Sequence, residues 1–408
     1  MAIILTMIIE RPSQARALGA GRWLLVYGRR KTGKSFLVER TLPFEDYFFV
    51  TSDRTILEKK RWQEYSYDSF KEILRRDLGS GKGVVVDEFH RLGEGFLDYL
   101  HALPQSGRLT LVSSTLHTAR LLLERRSPLL GKFGEVRIPI IDLADALRAA
   151  AGRRCGPREL LERAIFLREP VTVNLLEEGD PVAAASMLKL TVPALMGEIF
   201  AEEDRKISAV YEGAIRAVAA GRCTSAEVSS HLFSRGLINR NDPSLVQQYL
   251  ENLQRFGILH KLPVWGRNRH VYRHVSPLTR IFYYLDEKYG AAERDIPPAQ
   301  MERYLAELMP RIVEDSVREL LGARLGMRVH LHEAADFEVD GIFATFRKPE
   351  LALAVKWRSR LERNDVVKAR ESLGRSGAKR KILFVPEKRG IPAEGLELMD
   401  VRDLLKTG

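Results

Sequence analysis

The sequence predicts an α/β protein whose first domain is a parallel sheet layered by helices, followed by a helical segment and two smaller domains. Three observations carry that expectation. The apolar run from Trp23 to Tyr27 leads through a Gly-rich turn into FLVERTL, which reads as strand, loop, helix. Two further buried strands, Gly83 to Val86 and Leu109 to Val112, are each followed by polar residues and then helical periodicity, the alternation that builds parallel sheets. A length of 408 residues with 45% hydrophobic content exceeds the size at which one core stops growing, so two to four domains are expected.

Taken in order, residues 1–145 are expected to form the α/β domain. Residues 146–205, rich in Ala, Leu and Glu with little β-branched clustering, read as a helical lid. In 206–290 a helix runs from Ile207 to Ala220, and Thr224 with Glu227 forms the capping-box signature that starts a second. Asp242-Pro243 opens a third, whose spacing should turn Leu245, Tyr249, Leu250 and Leu253 inward and leave Gln247, Gln248, Asn252 and Arg255 more exposed. The run ILHKLPVWGRNRHVYRHV then reads as two strands around a turn at Gly266-Arg267-Asn268. Three helices and a hairpin make the winged-helix pattern. Residues 291–408 read helix, three strands, helix, strand, helix, a separate small α/β domain.

The net charge of +11 suits a partner that carries phosphates, although acidic residues are also abundant in a chain that is 29% charged. No apolar run was found that approaches the roughly 20 residues of a membrane helix, so no membrane association is expected. The N-terminus lacks the basic region and the cleavage site of a secretion signal, and a cytoplasmic location is expected. Two cysteines, Cys155 and Cys223, give neither a disulfide framework nor a thiolate metal site, and the histidines show no ligand spacing.

Gly28-Arg29-Arg30-Lys31-Thr32-Gly33-Lys34-Ser35 matches the Walker A pattern. Glycines let backbone N–H groups wrap phosphate oxygens, and the following helix N-terminus adds favourable potential. Lys34 should reach the β- and γ-phosphates of ATP, and Ser35 should hold Mg²⁺ through its hydroxyl. Asp87, ending the strand VVVD, should share that ion, and Glu88 is placed to orient and polarise an attacking water. Ser113 and Ser114 follow the third strand, where polar side chains sense the γ-phosphate or align the water. No arginine finger is assigned, since Arg120, Arg125, Arg126 and Arg137 all lie nearby in sequence.

With these motifs the chain resembles the archaeal ATPase family within the AAA+/STAND group of P-loop NTPases. The resemblance spans nearly the whole chain and rests on GRRKTGKS, VVVDEFHR, LTLVSST, SPLLGKFGEVRI, YLENLQRFGIL, VEDSVREL, FEVD and AVKW in that order. It implies a magnesium-dependent ATPase acting as a switch or remodelling module, with a winged helix and a C-terminal domain like PD-(D/E)XK restriction nucleases. Three departures stand out. Gly131-Lys132 replaces the family's Gly-Arg, and Lys cannot make the bidentate phosphate contact of a guanidinium. The lid element Leu167-Arg168-Glu169-Pro170 keeps only its proline, leaving Pro170 as an adenine-contact candidate, and the N-terminal motif is reduced to Glu10-Arg11-Pro12, which implies a nucleotide-sensing Arg11.

The nuclease resemblance requires a helical Glu, a strand Asp and an acid-x-Lys triplet. Glu314, Asp340 and Lys356 fill three of these places, and Ala354 stands where the remaining acid belongs, with Glu338 the nearest substitute. A nuclease-like fold without efficient cleavage is therefore expected. Three functions are compatible with the whole: an ATP-driven DNA-handling protein, with Gln247, Gln248 and Arg255 facing a duplex and Lys261, Arg267 and Arg269 on phosphates; a switch acting on a protein partner or homo-oligomer; and a nuclease with a rearranged acid.

Overall fold

The computed structural model describes residues 7–115, 129–152, 155–178, 180–202, 207–333, 338–358, 360–393 and 395–406. The N-terminal part is an α/β layered domain. Its elements are α1 (Pro12–Leu18), β1 (Trp23–Tyr27), α2 (Lys34–Thr41), β2 (Asp46–Val50), β3 (Ile56–Glu58), β4 (Gln63–Tyr65), α3 (Tyr67–Gly79), β5 (Gly83–Asp87), α4 (Glu94–Ala102), β6 (Arg108–Ser113) and β7 (Gly134–Arg137). The strands join in the order β4-β3-β2-β5-β6-β1-β7, parallel from β2 to β7 and antiparallel at the β2-β3-β4 edge. Alternate residues explain the burial on both faces. Leu25, Val84, Val86, Leu109 and Leu111 pack with Phe70 and Leu74 of α3 and Phe96 of α4, while Leu24, Val26, Val85 and Val112 pack with Leu18 of α1 and Leu37 of α2.

Because β6 lies between β1 and β5, the loops that leave these three strands meet at one end of the sheet, where the strand order reverses. The strands expected at β1, β5 and β6 are present. Of the others, β3 and β4 are three residues long and β7 buries one residue of four, too little for a period-two signal to show.

Four helices follow, α5 (Leu143–Ala150), α6 (Pro157–Leu167), α7 (Val173–Glu178) and α8 (Pro181–Glu202). The stretch Pro181–Ala201 of α8 is long and apolar enough, by length and composition, to cross a membrane, and 39% of its most apolar part is buried in the protein. This corrects the expectation that no such run exists. Lys189, Pro193 and Glu198 interrupt the run, so the sequence shows no unbroken apolar stretch there.

Next come α9 (Ala209–Ala219), α10 (Ser225–Ser234), α11 (Pro243–Arg255), the antiparallel hairpin β8 (Leu259–Pro263) and β9 (His270–His274), and α12 (Pro277–Tyr289). Thr224 and Glu227 make both hydrogen bonds of the capping box that opens α10. The inward face of α11 is Val246, Leu250 and Leu253, with Leu245 on the outside at 39% exposure. Gln247 and Asn252, expected to face solvent, instead donate to the hydroxyls of Tyr272 and Tyr211. The tyrosines reach α11 from β9 and α9, so a neighbour's polar tip draws the amides in.

A long helix α13 (Pro298–Leu325) leads to β10 (Arg328–Glu333), β11 (Glu338–Thr345), β12 (Lys348–Val355), α14 (Arg363–Arg375), β13 (Arg380–Phe384), β14 (Glu397–Met399) and α15 (Val401–Lys406). These strands form a second sheet in sequence order, antiparallel from β10 to β12 and parallel from β12 to β14. Phe343, Leu351 and Leu353 face the core shared with α13, whereas Ala352, Ala354 and Leu383 face Val366, Ala369 and Leu373 of α14. β14 is three residues long and was not anticipated.

Candidate functional site

The turn between β1 and α2 admits no side chain at its first position. A Cβ on Gly28 would lie 2.2 Å from the carbonyl oxygen of Ile138, so only glycine fits against the end of β7. Gly33 caps α2 with φ of 83°, the left-handed region, and Lys31 also has a positive φ of 62°. Lys34 is buried, and its Nζ donates to the carbonyl of Arg29 at 3.1 Å. Thr32 Oγ1 donates to the same carbonyl. Arg11 braces the turn from outside, its guanidinium donating to the carbonyls of Thr32, Pro139 and Ile140. Burial lowers its pKa to about 10, which leaves it charged at neutral pH.

At the end of β5 the Asp87 carboxylate is almost fully buried. Ser35 Oγ and Tyr47 OH both donate to its Oδ2, at 2.7 and 2.6 Å. Burial pushes the Asp87 pKa up, against the pull of these two hydrogen bonds. The Tyr47 hydroxyl, buried beside that carboxylate, is pushed above its usual range and so remains a donor. Tyr47 was missed in the sequence. It reaches the site because β2 pairs with β5, which no local pattern reveals.

Glu88 adopts a left-handed backbone, φ 56° and ψ 34°, at the start of a single 3₁₀ turn from Phe89 to Leu92. A non-glycine residue held there is a strained position of the kind that clusters at functional sites. Ser114 Oγ donates to Glu88 Oε2 at 2.6 Å, and His90 Nδ1 lies 3.5 Å from the same oxygen. Ser113 Oγ in turn lies 3.2 Å from His90 Nδ1. The two serines expected after β6 therefore sit beside the acid expected after β5.

The helical segment after β7 approaches the turn through Glu169 and Glu198, to which sequence reading assigns no role. Arg29 pairs with Glu169 at 2.5 Å, both almost fully buried, and Arg30 pairs with Glu198 of α8 at 2.8 Å. Pro170 packs 3.9 Å from where a Cβ on Gly33 would stand. Glu169 is flanked by Arg168, whose guanidinium donates to the carbonyl of Ile141 and pairs with Glu319 of α13 at 2.7 Å. Glu169 stands beside Pro170 in the element Leu167-Arg168-Glu169-Pro170 and Glu198 lies in no motif; only its partner shows what each acid does.

Of the arginine-finger positions, Arg120, Arg125 and Arg126 lie outside the described residues, and Arg137 is exposed on β7. Lys132, which follows Gly131, donates its Nζ to the carbonyls of Leu100, His101 and Leu103 and so ties down the end of α4.

In the C-terminal domain Glu314, Asp340 and Lys356 are all half-buried. Asp340 Oδ2 accepts from the backbone N–H of Val355, and its carbonyl accepts from Arg318 at 2.6 Å. Neighbouring Asp315 pairs with Arg273 of β9, Arg280 of α12 and Arg318 of its own helix. Ala354 is buried against α14, and the side chain of Glu338 lies outside the described residues. Among the described residues no three His, Cys, Asp or Glu side chains converge as a metal set.

Of the nucleic-acid candidates, Gln248, Arg255, Arg267 and Arg269 are exposed and Lys261 is half-buried. Gln248 donates to Asn252, while Gln247 is taken up by Tyr272 and Glu251.

No protein-family model matches the sequence, and no curated protein matches it. Among solved structures the chain is similar to the Walker-type ATPase of Pyrococcus abyssi, at 19% identity over 68% of this chain and 96% of that one, with a TM-score of 0.48. It is also similar to the Aeropyrum pernix ORC2 protein in its ADPNP-ADP complexes, at 13% identity over 72% and 93%, with a TM-score of 0.38. A STAND protein of Pyrococcus horikoshii with a tetratricopeptide repeat sensor aligns at 15% identity over 79% of this chain and 52% of its own length, with a TM-score of 0.32. At these scores the functional reading is carried by the site geometry alone.

Proposed function

We propose that this chain is a magnesium-dependent ATPase of the AAA+/STAND kind that couples its nucleotide state to nucleic-acid binding, with DNA as the partner. The observation that carries the reading is the meeting of Lys34, the Ser35 to Asp87 pair and the Ser114-held Glu88 at three adjacent strand ends. The turn fits a nucleotide because nothing larger than hydrogen is tolerated at Gly28 and the chain is left-handed at Gly33, leaving its N–H groups to cradle phosphate oxygens. Lys34 would hold the phosphates, Ser35 and Asp87 the magnesium, and Pro170 would border the base. Magnesium, when bound, neutralises charge on the phosphate oxygens. Glu88 would orient and polarise the attacking water, with Ser114 fixing one of its oxygens and Ser113 steadying His90 beside it.

The lid supplies a route for coupling. Glu169 and Arg168 are consecutive residues that pair in opposite directions, one to the phosphate turn and one to α13. The Arg29 to Glu169 pair is a single contact, and Arg29 Nε and Glu169 Oε2 are buried without hydrogen-bond partners. A pair held so incompletely can re-form when the turn moves, and its neighbour Arg168 passes the change to the C-terminal domain. Trp357 Nε1 donates to Glu162 of α6 and adds a second tie between lid and domain. In this reading 206–290 is a winged helix and 291–408 a nuclease-like domain that does not cleave efficiently, since Ala354 removes a required acid.

A second reading, a switch acting on a protein partner or another copy, is favoured by the exposed apolar side chains of Met187 and Leu190 on α8, at 53% and 81%. Magnesium-dependent ATP hydrolysis measured with and without duplex DNA, with Lys34→Ala as the blank, separates the two. Stimulation by DNA that the blank lacks, with the DNA left intact, supports the first. Hydrolysis indifferent to DNA while ATP still binds selects the second, and metal-dependent cleavage overturns the non-cleaving assignment.

A further inference from the structure

The charge of the C-terminal domain is unevenly placed. Between Lys356 and Lys381 stand ten Lys and Arg against three Asp and Glu, while the remainder of 291–408 carries twelve against seventeen. The basic stretch is organised by α14, which lays Val366, Ala369 and Leu373 on the sheet. Arg363 and Arg370 form one exposed row and Lys368 and Arg375 another, each pair seven residues and so about 10 Å apart along the helix, with the two rows on opposite flanks of its apolar stripe. Arg358 precedes the helix and pairs with Asp365, and Lys379 follows it and pairs with Glu350; both cationic side chains stay largely exposed.

The hairpin turn belongs to the same side of the molecule. Val264 bridges Leu331 of β10, the N–H of Trp265 donates to the Leu331 carbonyl at 2.7 Å, and the Trp265 ring packs into the core between the sheet and α14. Exposed Arg267 and Arg269 are thereby held at the β10 edge of the sheet, on a turn whose Trp265 packs on the face that α14 covers.

We infer that α14 and the hairpin turn form one docking surface for duplex nucleic acid. The inference rests on the nucleic-acid arm of the proposed function and names its surface. Rows of cations on a rigid helix match a phosphate polyanion, and contacts of this kind fix position without reading sequence. The stretch 358–381 holds no Phe, Trp or Tyr, so it offers no stacking platform for unpaired bases. It also presents no exposed large apolar side chain among the described residues, which a membrane-surface helix needs. α11, the helix that winged-helix geometry would send into a groove, then lies outside the main contact.

The test is binding of a short labelled duplex by the full chain across salt. The triple variant Lys368→Ala/Arg370→Ala/Arg375→Ala should bind about ten-fold or more weakly, whatever the duplex sequence, and should flatten the log-log salt slope by about 3. Arg267→Ala/Arg269→Ala should flatten it by about 2. A charge-keeping triple, Lys368→Arg/Arg370→Lys/Arg375→Lys, should restore binding, and thermal melts should show all variants folded. Duplex binding by the unmodified chain with an unchanged slope in the alanine triple would overturn the surface and leave the nucleic-acid reading standing. Failure of the unmodified chain to bind duplex at low salt removes both. Tighter binding of single strands than of duplex, or of anionic lipid vesicles in place of DNA, also overturns the assignment.

Discussion

At the end of β5, Asp87 and Glu88 are buried among neutral hydroxyls: Ser35 and Tyr47 on one, Ser114 on the other. On α13, Asp315 sits among the guanidinium groups of Arg273, Arg280 and Arg318. Both sites hold carboxylates withdrawn from solvent, one at a strand end and one on a helix, yet their partners differ in kind. Hydroxyls give a carboxylate hydrogen bonds without bringing positive charge, so the carboxylate oxygens of the first cluster stay open to a cation that displaces a donor. The arginines already supply positive charge, and burial lowers the pKa of Arg280 and of Arg318 to about 10 without discharging them. Asp315 therefore acts as the keystone of a structural ion network that joins β9, α12 and α13. A cluster of acids near a sheet end is informative only once the charge of its partners is known.

The comparison can be broken at either cluster. Glu88→Gln should lower ATP hydrolysis by roughly 10² to 10³ while ATP binding survives, because the amide keeps the shape but loses the base; single-turnover kinetics beside nucleotide-binding titrations would show it. Equal loss of binding and hydrolysis would return Glu88 to a structural role. Asp315→Asn should cost about 3 kcal/mol of stability, since it strands two nearly buried guanidinium groups, and should leave the hydrolysis rate per folded molecule unchanged. Denaturant unfolding followed with an activity assay checks both halves.

A smaller effect distinguishes the region from α9 to α12 from the ends of β1, β5 and β6 by pH. Burial lowers the pKa of His231 and of His260 to about 4 and that of His274 to about 3. The unfolded chain, with histidines at ordinary values, takes up protons first as pH falls. Their contribution is therefore present above about pH 6.5 and lost as pH drops toward 4, at up to about 1.4 kcal/mol per pH unit for each histidine. Urea midpoints between pH 7 and 4 should fall with that slope, and a His274→Gln variant should show a shallower one. The smallest effect is expected at Tyr47→Phe. Removing one of two donors to Asp87 Oδ2 should cost about 1 kcal/mol, a several-fold weaker response of hydrolysis to magnesium. No change in magnesium dependence would show that Tyr47 serves packing alone.

The eight residues of the turn from Gly28 to Ser35 were legible because their message is local. Gly28 and Gly33 set a backbone path, Lys34 and Ser35 open a helix, and neighbours in sequence are neighbours in space. Asp87 and Glu88 were legible for a similar reason, since an apolar strand announces its own end. The face of α11 was read only in part: periodicity found a helix with an apolar side, but tyrosines from β9 and α9 decided where its amides point.

What the sequence by itself determined is the order of the longer elements and the glycine turn that joins β1 to α2. Only the tertiary structure decided which charges meet. Arg29 finds Glu169 across 140 positions, Ser35 finds Asp87 across 52, and Arg280 finds Asp315 across 35. Turns and periodicities follow from short-range sterics and hydrophobic spacing that each segment carries within itself. An ion pair or a shared hydrogen bond forms only where packing brings two distant segments within about 3 Å, and the side chains themselves do not encode that distance.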